Sequence, residues 1–232
     1  MKRFYRDVTV APTEGGWHVL LDGRAIKTVG GKPQIVPSAA LAEVMAAEWA
    51  GQGEEIDTTA FLFRDMADYA IDVVATRRDE AVAAIVAYGE SDTLCYRADP
   101  DEAFHARQRD VWEPVLEAAE ERHGVRFRRV SGIIHRPQPE ETLAQLRRFV
   151  AAQDDFALAA LRNLASLAAS LVIALAALEP DADVTALWNA ANLEEDWQAE
   201  LWGKDVEAQA RREKRAAAFA ASARFAALSR AG

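Results

Sequence analysis

Three of the chain's six tryptophans and an unbroken acidic run, Glu194-Glu195-Asp196, fall within Leu187 to Gly203, LWNAANLEEDWQAELWG. Indoles bring large apolar faces and one N–H donor, and carboxylates bring acceptors, so the segment carries the chemistry of recognition. As one helix turning 100° per residue, it puts Ala186, Ala190, Leu193, Trp197 and Leu201 on a core-facing stripe. Trp188, Glu195 and Trp202, spaced by seven, then share the opposite side, and Glu194 lies half-buried at the edge of the first stripe. Such a helix is either sandwiched in a core with its charges outward or keeps a surface for a partner. Exposed tryptophan is costly and enriched where proteins bind proteins, which motivates the second reading.

Other reactive side chains point to simpler roles. Asp65, Asp68 and Asp72 share a helix face at i, i+3, i+7, a spacing that suits a divalent cation or a carboxylate pair for acid–base work. No histidine accompanies them nearby, and Arg64 and Arg77 offer neutralisation instead. The four histidines, His18, His105, His123 and His135, have no metal-ligand spacing. Ser91-Asp92 lacks the glycine frame of a nucleophile elbow and reads as turn and cap chemistry. Arg126, Arg128, Arg129 and Arg136 form a basic cluster that is either a solvated strand edge or an anion contact. The lone Cys95 reads as a small buried apolar residue.

The elements that must position these groups divide into two regimes. In WHVLLDGRAIKT, two apolar runs flank Asp22-Gly23, the dipeptide of a type I′ hairpin. Val8 to Val10 and Gln34 to Val36 extend this to a sheet of three or four strands. From Pro37 onward helical periods take over: Leu41, Val44, Met45 and Trp49 follow one stripe, with Ser38 as the cap and Gly51 or Gly53 as the stop. Further helices are expected at about 63 to 76, 78 to 89, 101 to 123, 139 to 150, 154 to 178, 183 to 202 and 204 to 228, with Gly124 to Ile134 a short strand pair or an extended connection. The fold class is α+β: a small β domain over 1–37 followed by an α-helical domain over 38–232.

Composition excludes several functions. A net charge of -10 argues against nucleic acid and against an anionic membrane surface. The most apolar run, Leu164 to Leu178, is shorter than the roughly 20 residues a bilayer asks for, so it reads as a buried helix, capped by Asp154 or Asp155 and stopped by Pro180. One cysteine fits a reducing compartment. The opening MKRFYRDVTV has neither an apolar signal core nor the character of a transit peptide, so a cytoplasmic protein is expected.

In order along the chain, KRFYRDVTV, LLDGRAIKT, LAEVMAAEWAGQ with Ile56 shortly after, AIDVV, YGESDTLCYRA, RQRDVWEPVL and LEEDWQAELWG make up a recognisable series. Together they resemble the ATP-twelve family, assembly chaperones that bind the newly made alpha subunit of the ATP synthase catalytic head until it assembles. The pattern departs at Phe61-Leu62-Phe63-Arg64, where relatives carry a Met-Pro-Leu-Thr-like turn, and at Ala169-Ser170, where a Lys-Ser pair is usual. Glu113 stands where Asp is commoner.

The resemblance implies a small β domain before a larger helical one, a chaperone with no catalysis and no cofactor, and the alpha subunit as partner. It places eukaryotic relatives in the mitochondrial matrix. It also implies that Glu194 is required for function and that Trp49 matters. Physically, a half-buried Glu194 would hold a neighbouring helix or accept hydrogen bonds from a partner backbone, and Trp49 would support the fold. Glu194, Glu195, Trp188 and Trp202 are therefore the candidate partner-binding residues. The competing hypothesis is a hydrolase-type enzyme that uses Asp65, Asp68 and Glu194 around an interdomain cleft.

Overall fold

The computed structural model describes residues 1–132, 136–203 and 205–231. His135 and the end of the 124–134 segment, Ile133 and Ile134, lie outside the described residues. Strands β1 (Val8–Thr13), β2 (Gly16–Leu21) and β3 (Arg24–Ala25) form an antiparallel sheet in the order β1-β2-β3. Leu21 pairs with Arg24 across a two-residue turn. In that turn Asp22 and Gly23 have φ of 48° and 76°, as a type I′ hairpin requires. The Asp22 carboxylate accepts from the amides of Arg6 and Asp7 at 3.0 and 2.8 Å, which fastens the chain entering β1 to the hairpin tip.

Helix α1 (Ala39–Ala50) packs on β1 and β2 and buries Leu41, Ala42, Met45 and Trp49. Ser38 caps it, accepting from the Leu41 amide at 3.0 Å. At its other end Glu48 accepts from the amides of Phe63 and Arg64 at 2.7 and 2.9 Å. Those amides open α2 (Leu62–Tyr69), whose own N-cap residue Phe61 offers no side-chain bond, so a carboxylate from α1 does the capping. A wider π-type turn, Ala70–Val74, follows.

Two compact units emerge, one of Met1–Arg78, 154–160 and 221–232, the other of Asp79–Gln153 and 161–220. The expected boundary at residue 37 does not separate them: α1 packs on β1 and β2 and falls in the same unit as the sheet. In the first unit the Phe225 ring stacks near Phe156 at 6.0 Å and Phe63 at 6.3 Å.

The second unit is built from α3 (Arg78–Glu90), α4 (Ala103–His123), α5 (Glu140–Ala151), most of α6 (Asp155–Ala168), α7 (Leu171–Ala176), α8 (Val184–Ala191), α9 (Leu193–Trp202) and the first part of α10 (Val206–Ser229). Tyr96–Arg97 (β4) and Val130–Ser131 (β5) make one short parallel pairing, so the described part of the 124–134 segment is mostly an extended connection. No helix among the described residues is long and apolar enough to cross a membrane.

Two helices expected to be continuous are broken, each by side-chain hydrogen bonds. Between α6 and α7, Ala169 takes φ 48° and Ser170 restarts the helix by accepting from the Ile173 amide at 3.0 Å. Asp92 locks this break: its carboxylate accepts from the Ser170 hydroxyl at 2.7 Å, the Val172 amide at 2.9 Å and the Leu94 amide at 3.1 Å. Its expected role as turn and cap residue is met. Cys95 beside it is buried, and burial pushes its thiol well above the usual range.

Burial pushes the Asp92 carboxyl up to about 6 against the hydrogen bonds that favour its charge. A carboxyl whose folded value lies above the unfolded one contributes stability that is complete below about pH 4 and lost as pH rises through 6, about 3 kcal/mol in all. Asp92→Asn cannot titrate there. The melting temperature of the wild type relative to this variant should therefore climb as pH falls from 7 to 4, and a flat difference would show that Asp92 is already charged throughout that window.

Candidate partner-binding face

The segment 183–202 is two helices rather than one. Asn192, buried, sits at φ -107° and ψ 19° and donates its side-chain amide to the Trp188 carbonyl at 2.8 Å, closing α8. The Trp112 indole N–H takes the Ala190 carbonyl at 2.8 Å, and the Asp196 amide bonds back to Asn192 at 2.9 Å to start α9. This break overturns the expected stripe of Trp188, Glu195 and Trp202. Trp188 is buried against Phe219 at 5.4 Å, with the Arg215 guanidinium over its ring at 5.5 Å, so it is part of the core and not of a partner surface. Trp202 is 81% exposed.

The other expected stripe is also corrected. Leu193 and Ala190 are buried, but Ala186 is exposed and Leu201 is 58% exposed. Trp197 is half-buried, stacked on Phe104 at 5.5 Å. Glu194, expected to be half-buried, is exposed.

What α9 presents outward is a different stripe, Glu194, Gln198, Leu201 and Trp202, all exposed and spaced i, i+4, i+7, i+8. At the start of α10, Val206 is another apolar side chain, at 84% exposure. An amphipathic face with its apolar end in water is unusual for a monomer. Glu194 and Gln198 line two hollows, one bounded by Arg97, Phe104 and Gln108 and the other by Arg211, Arg212 and Arg215.

The acids beside Glu194 are engaged. Asp196 pairs with Arg212 at 2.7 Å and Glu195 with Arg215 at 3.5 Å, which ties α9 to α10. Glu195 thus spends its charge on α10, whereas the Glu194 carboxylate has no hydrogen-bond or ion-pair partner among the described residues.

A charged network not expected from the sequence reaches one of these hollows through Arg97. On α4, Glu113 and Glu120 are seven apart. Glu113 binds Arg97 at 2.9 Å and Arg129 at 2.5 Å; Glu120, 4% exposed, binds Arg129, Arg126 at 2.9 Å and the Phe127 amide at 2.7 Å. Arg129 is therefore an internal ion-pair partner, whereas Arg126 reaches Glu120 from a side chain that stays 84% exposed to solvent. Arg128 donates to the Pro137 carbonyl at 2.8 Å, and Arg136 is exposed. Burial works against the charge of both glutamates but is outweighed by the arginines, so both carboxyls sit below their usual range. The seven-residue spacing of the two glutamates was the available signal.

Asp68 and Asp72 are spent on structure. Asp68 accepts from the Val29 amide at 3.1 Å and from Gln34, and Asp72 accepts from the Thr28 hydroxyl at 2.9 Å and the Gly30 amide at 2.8 Å. They hold the loop that follows β3, and a Cβ at Gly30 would meet the Asp72 carboxylate at 2.7 Å. Arg64 spans Asp65 and Asp68 at 3.3 Å each. Among the described residues, no three His, Cys, Asp or Glu side chains converge as a metal-ligand group. His123 is buried edge-on to Phe149 at 4.4 Å.

Trp49 is 8% exposed, 4.5 Å from the Phe61 ring and 5.6 Å from Tyr5, whose hydroxyl donates to the Trp49 carbonyl at 2.7 Å.

A family profile described as ATP12 chaperone protein matches residues 2–120. The chain belongs to the ATP12 chaperone family. The crystal structure of Atp12 from Paracoccus denitrificans superimposes with a TM-score of 0.91 at 38% identity, over 99% of this chain and 98% of that one. A candidate chaperone from Agrobacterium tumefaciens gives a TM-score of 0.93 at 40% identity, over 98% of this chain and 85% of its own. The mitochondrial protein atp12 of Schizosaccharomyces pombe is 23% identical over 219 residues, 87% of this chain and 74% of its own length. The family profile ends before α9, whereas the two solved structures match over 98% or more of this chain.

Proposed function

We propose that the chain is a non-enzymatic chaperone in assembly of the ATP synthase catalytic head. In this reading it holds the unassembled alpha subunit and keeps it from aggregating. The observation that carries this reading is the outward stripe of α9, in which an unpaired carboxylate and an amide lead into Leu201 and Trp202. Membership of the ATP12 chaperone family supports the class of activity. A subunit awaiting assembly exposes apolar surface that would otherwise self-associate, and a short apolar patch with hydrogen-bonding groups at one end covers such surface reversibly.

Glu194, Gln198, Leu201 and Trp202 form the contact in this reading. Glu195 contributes by tying α9 to α10, and Trp188 by packing beneath it. The site of action is cytoplasmic.

Glu194→Gln removes the charge with little change of shape, and no internal partner is lost. The variant should melt like the wild type while retaining much less alpha subunit in a pull-down and suppressing its aggregation less well at equal stoichiometry. Unchanged retention of the alpha subunit would reject α9 as the contact, and outright unfolding would make Glu194 a structural tie.

A further inference from the structure

The unit containing the sheet holds buried donors that its own fold leaves unsatisfied. A hollow of about 520 Å³ opens there between the chain before β1, the β2–β3 hairpin and α1, lined among others by Phe4, Leu21, Arg24, Lys27, Trp49 and Arg64. Two of these carry donors with nothing to donate to: the Trp49 indole N–H and the Arg64 Nε–H are both buried and without a hydrogen-bond partner. The other groups nearby are committed. The Tyr5 hydroxyl is taken by the Trp49 carbonyl, the Arg64 terminal nitrogens by Asp65 and Asp68, and the Asp22 carboxylate by the Arg6 and Asp7 amides. Buried donors are almost always satisfied, so two orphans lining one hollow mark a place where an acceptor is brought from outside.

The rest of the lining says what kind of acceptor. Arg24 and Lys27 are exposed at the mouth and neither has an ion pair among the described residues; with Arg64 they outnumber Asp22, the one carboxylate in the lining, so the hollow keeps a positive excess in a chain of net charge -10. Phe4 stands at 64% exposure on one side and Leu21 and Ile26 line the wall, so the acceptor arrives attached to something apolar. We propose that this hollow binds an acidic peptide segment of a client protein, one carboxylate side chain reaching the Trp49 and Arg64 donors while an adjacent apolar side chain covers Phe4 and Ile26. A carboxylate accepts from both donors at once and is held by the two mouth cations, whereas a neutral amide of equal size forms no ion pair with Arg64 or with them. The assignment does not depend on which protein the client is.

The test uses the full chain and two short probes, acetyl-Phe-Glu-amide and acetyl-Phe-Gln-amide, with phenylacetate as the free acid. Indole N–H signals are followed by ¹⁵N NMR, and Trp49→Phe identifies the one from Trp49. The Glu peptide should move the Trp49 signal saturably and leave the other indoles in place. The Gln peptide should bind at least about tenfold more weakly, the loss of one charge-assisted contact. Because Arg24 and Lys27 are exposed, the double variant Arg24→Gln, Lys27→Gln keeps the fold, and it should weaken the Glu peptide similarly. No shift at Trp49, equal binding of the two peptides, or full binding by the double variant overturns the proposal. Phenylacetate binding as tightly as the Glu peptide also overturns it, since the hollow would then be a site for a small free acid.

Discussion

Replacing Trp49 by arginine should leave little or no folded protein. The indole is 8% exposed and packs against Phe61 and Tyr5 at ring separations of 4.5 and 5.6 Å. Removing it forfeits about 3 to 5 kcal/mol of packing even for a neutral replacement. Arginine adds a second penalty, because the Arg64 guanidinium already stands 6.0 Å from the Trp49 ring, with Arg24 and Lys27 lining the same hollow. The new cation would be partly desolvated among like charges, with Asp65 and Asp68 already engaged by Arg64. Together these take up most or all of the roughly 5 to 15 kcal/mol by which a domain is held, so the expected result is a fall in melting temperature of many degrees and collapse of soluble yield. Trp49→Phe keeps an aromatic ring against Phe61 and should fold. Soluble yield and thermal melting of the pair check this, and an arginine variant that melts like wild type would mean that the ring contacts carry almost no stability.

Features fixed by neighbours in the chain were legible from sequence. The hairpin at Asp22-Gly23, the Ser38 cap and the buried stripe of α1 depend on residues a few positions apart, and each stands where local chemistry puts it. The helix breaks were not legible, because periodicity runs through them. Asn192 ends α8 through its own side chain together with an indole from Trp112, and Ser170 restarts α7 in concert with Asp92. Once the break at Asn192 is placed, every downstream face rotates, which is why the outward stripe became Glu194, Gln198, Leu201 and Trp202.

The same distance in sequence hid the uses of the charged groups. Asp68 pairs with Arg64 on its own helix, as their spacing offers, but its other partners and those of Asp72 lie in the loop 28–34. Arg126 and Arg129 looked like a patch until Glu113 and Glu120 of α4 met them. In both cases a buried carboxylate, Asp68 or Glu120, must find donors, and these come from whichever segment the fold brings close.

Trp188 and Trp202, one buried and one 81% exposed, should respond to substitution in opposite ways. Trp188→Ala removes a ring buried against Phe219 and beneath the Arg215 guanidinium, and its indole N–H has no partner to lose, so the cost is a cavity of about 3 to 5 kcal/mol. Arg215 would also lose the face that positions it toward Glu195, loosening the tie between α9 and α10. Trp202→Ala removes a side chain that is 81% exposed, and stability should stay within about 0.5 kcal/mol of wild type. If the outward stripe of α9 is the client contact, Trp202→Ala should nevertheless cost more than about 2 kcal/mol of affinity for the alpha subunit, the loss typical of an aromatic anchor. Denaturant melts and binding isotherms on the two single variants decide between these outcomes. Stability loss in Trp202→Ala would mean that its ring is covered in solution. Wild-type affinity in a stable Trp202→Ala variant would remove the apolar end of the stripe from the contact and leave Glu194 and Gln198 to carry it.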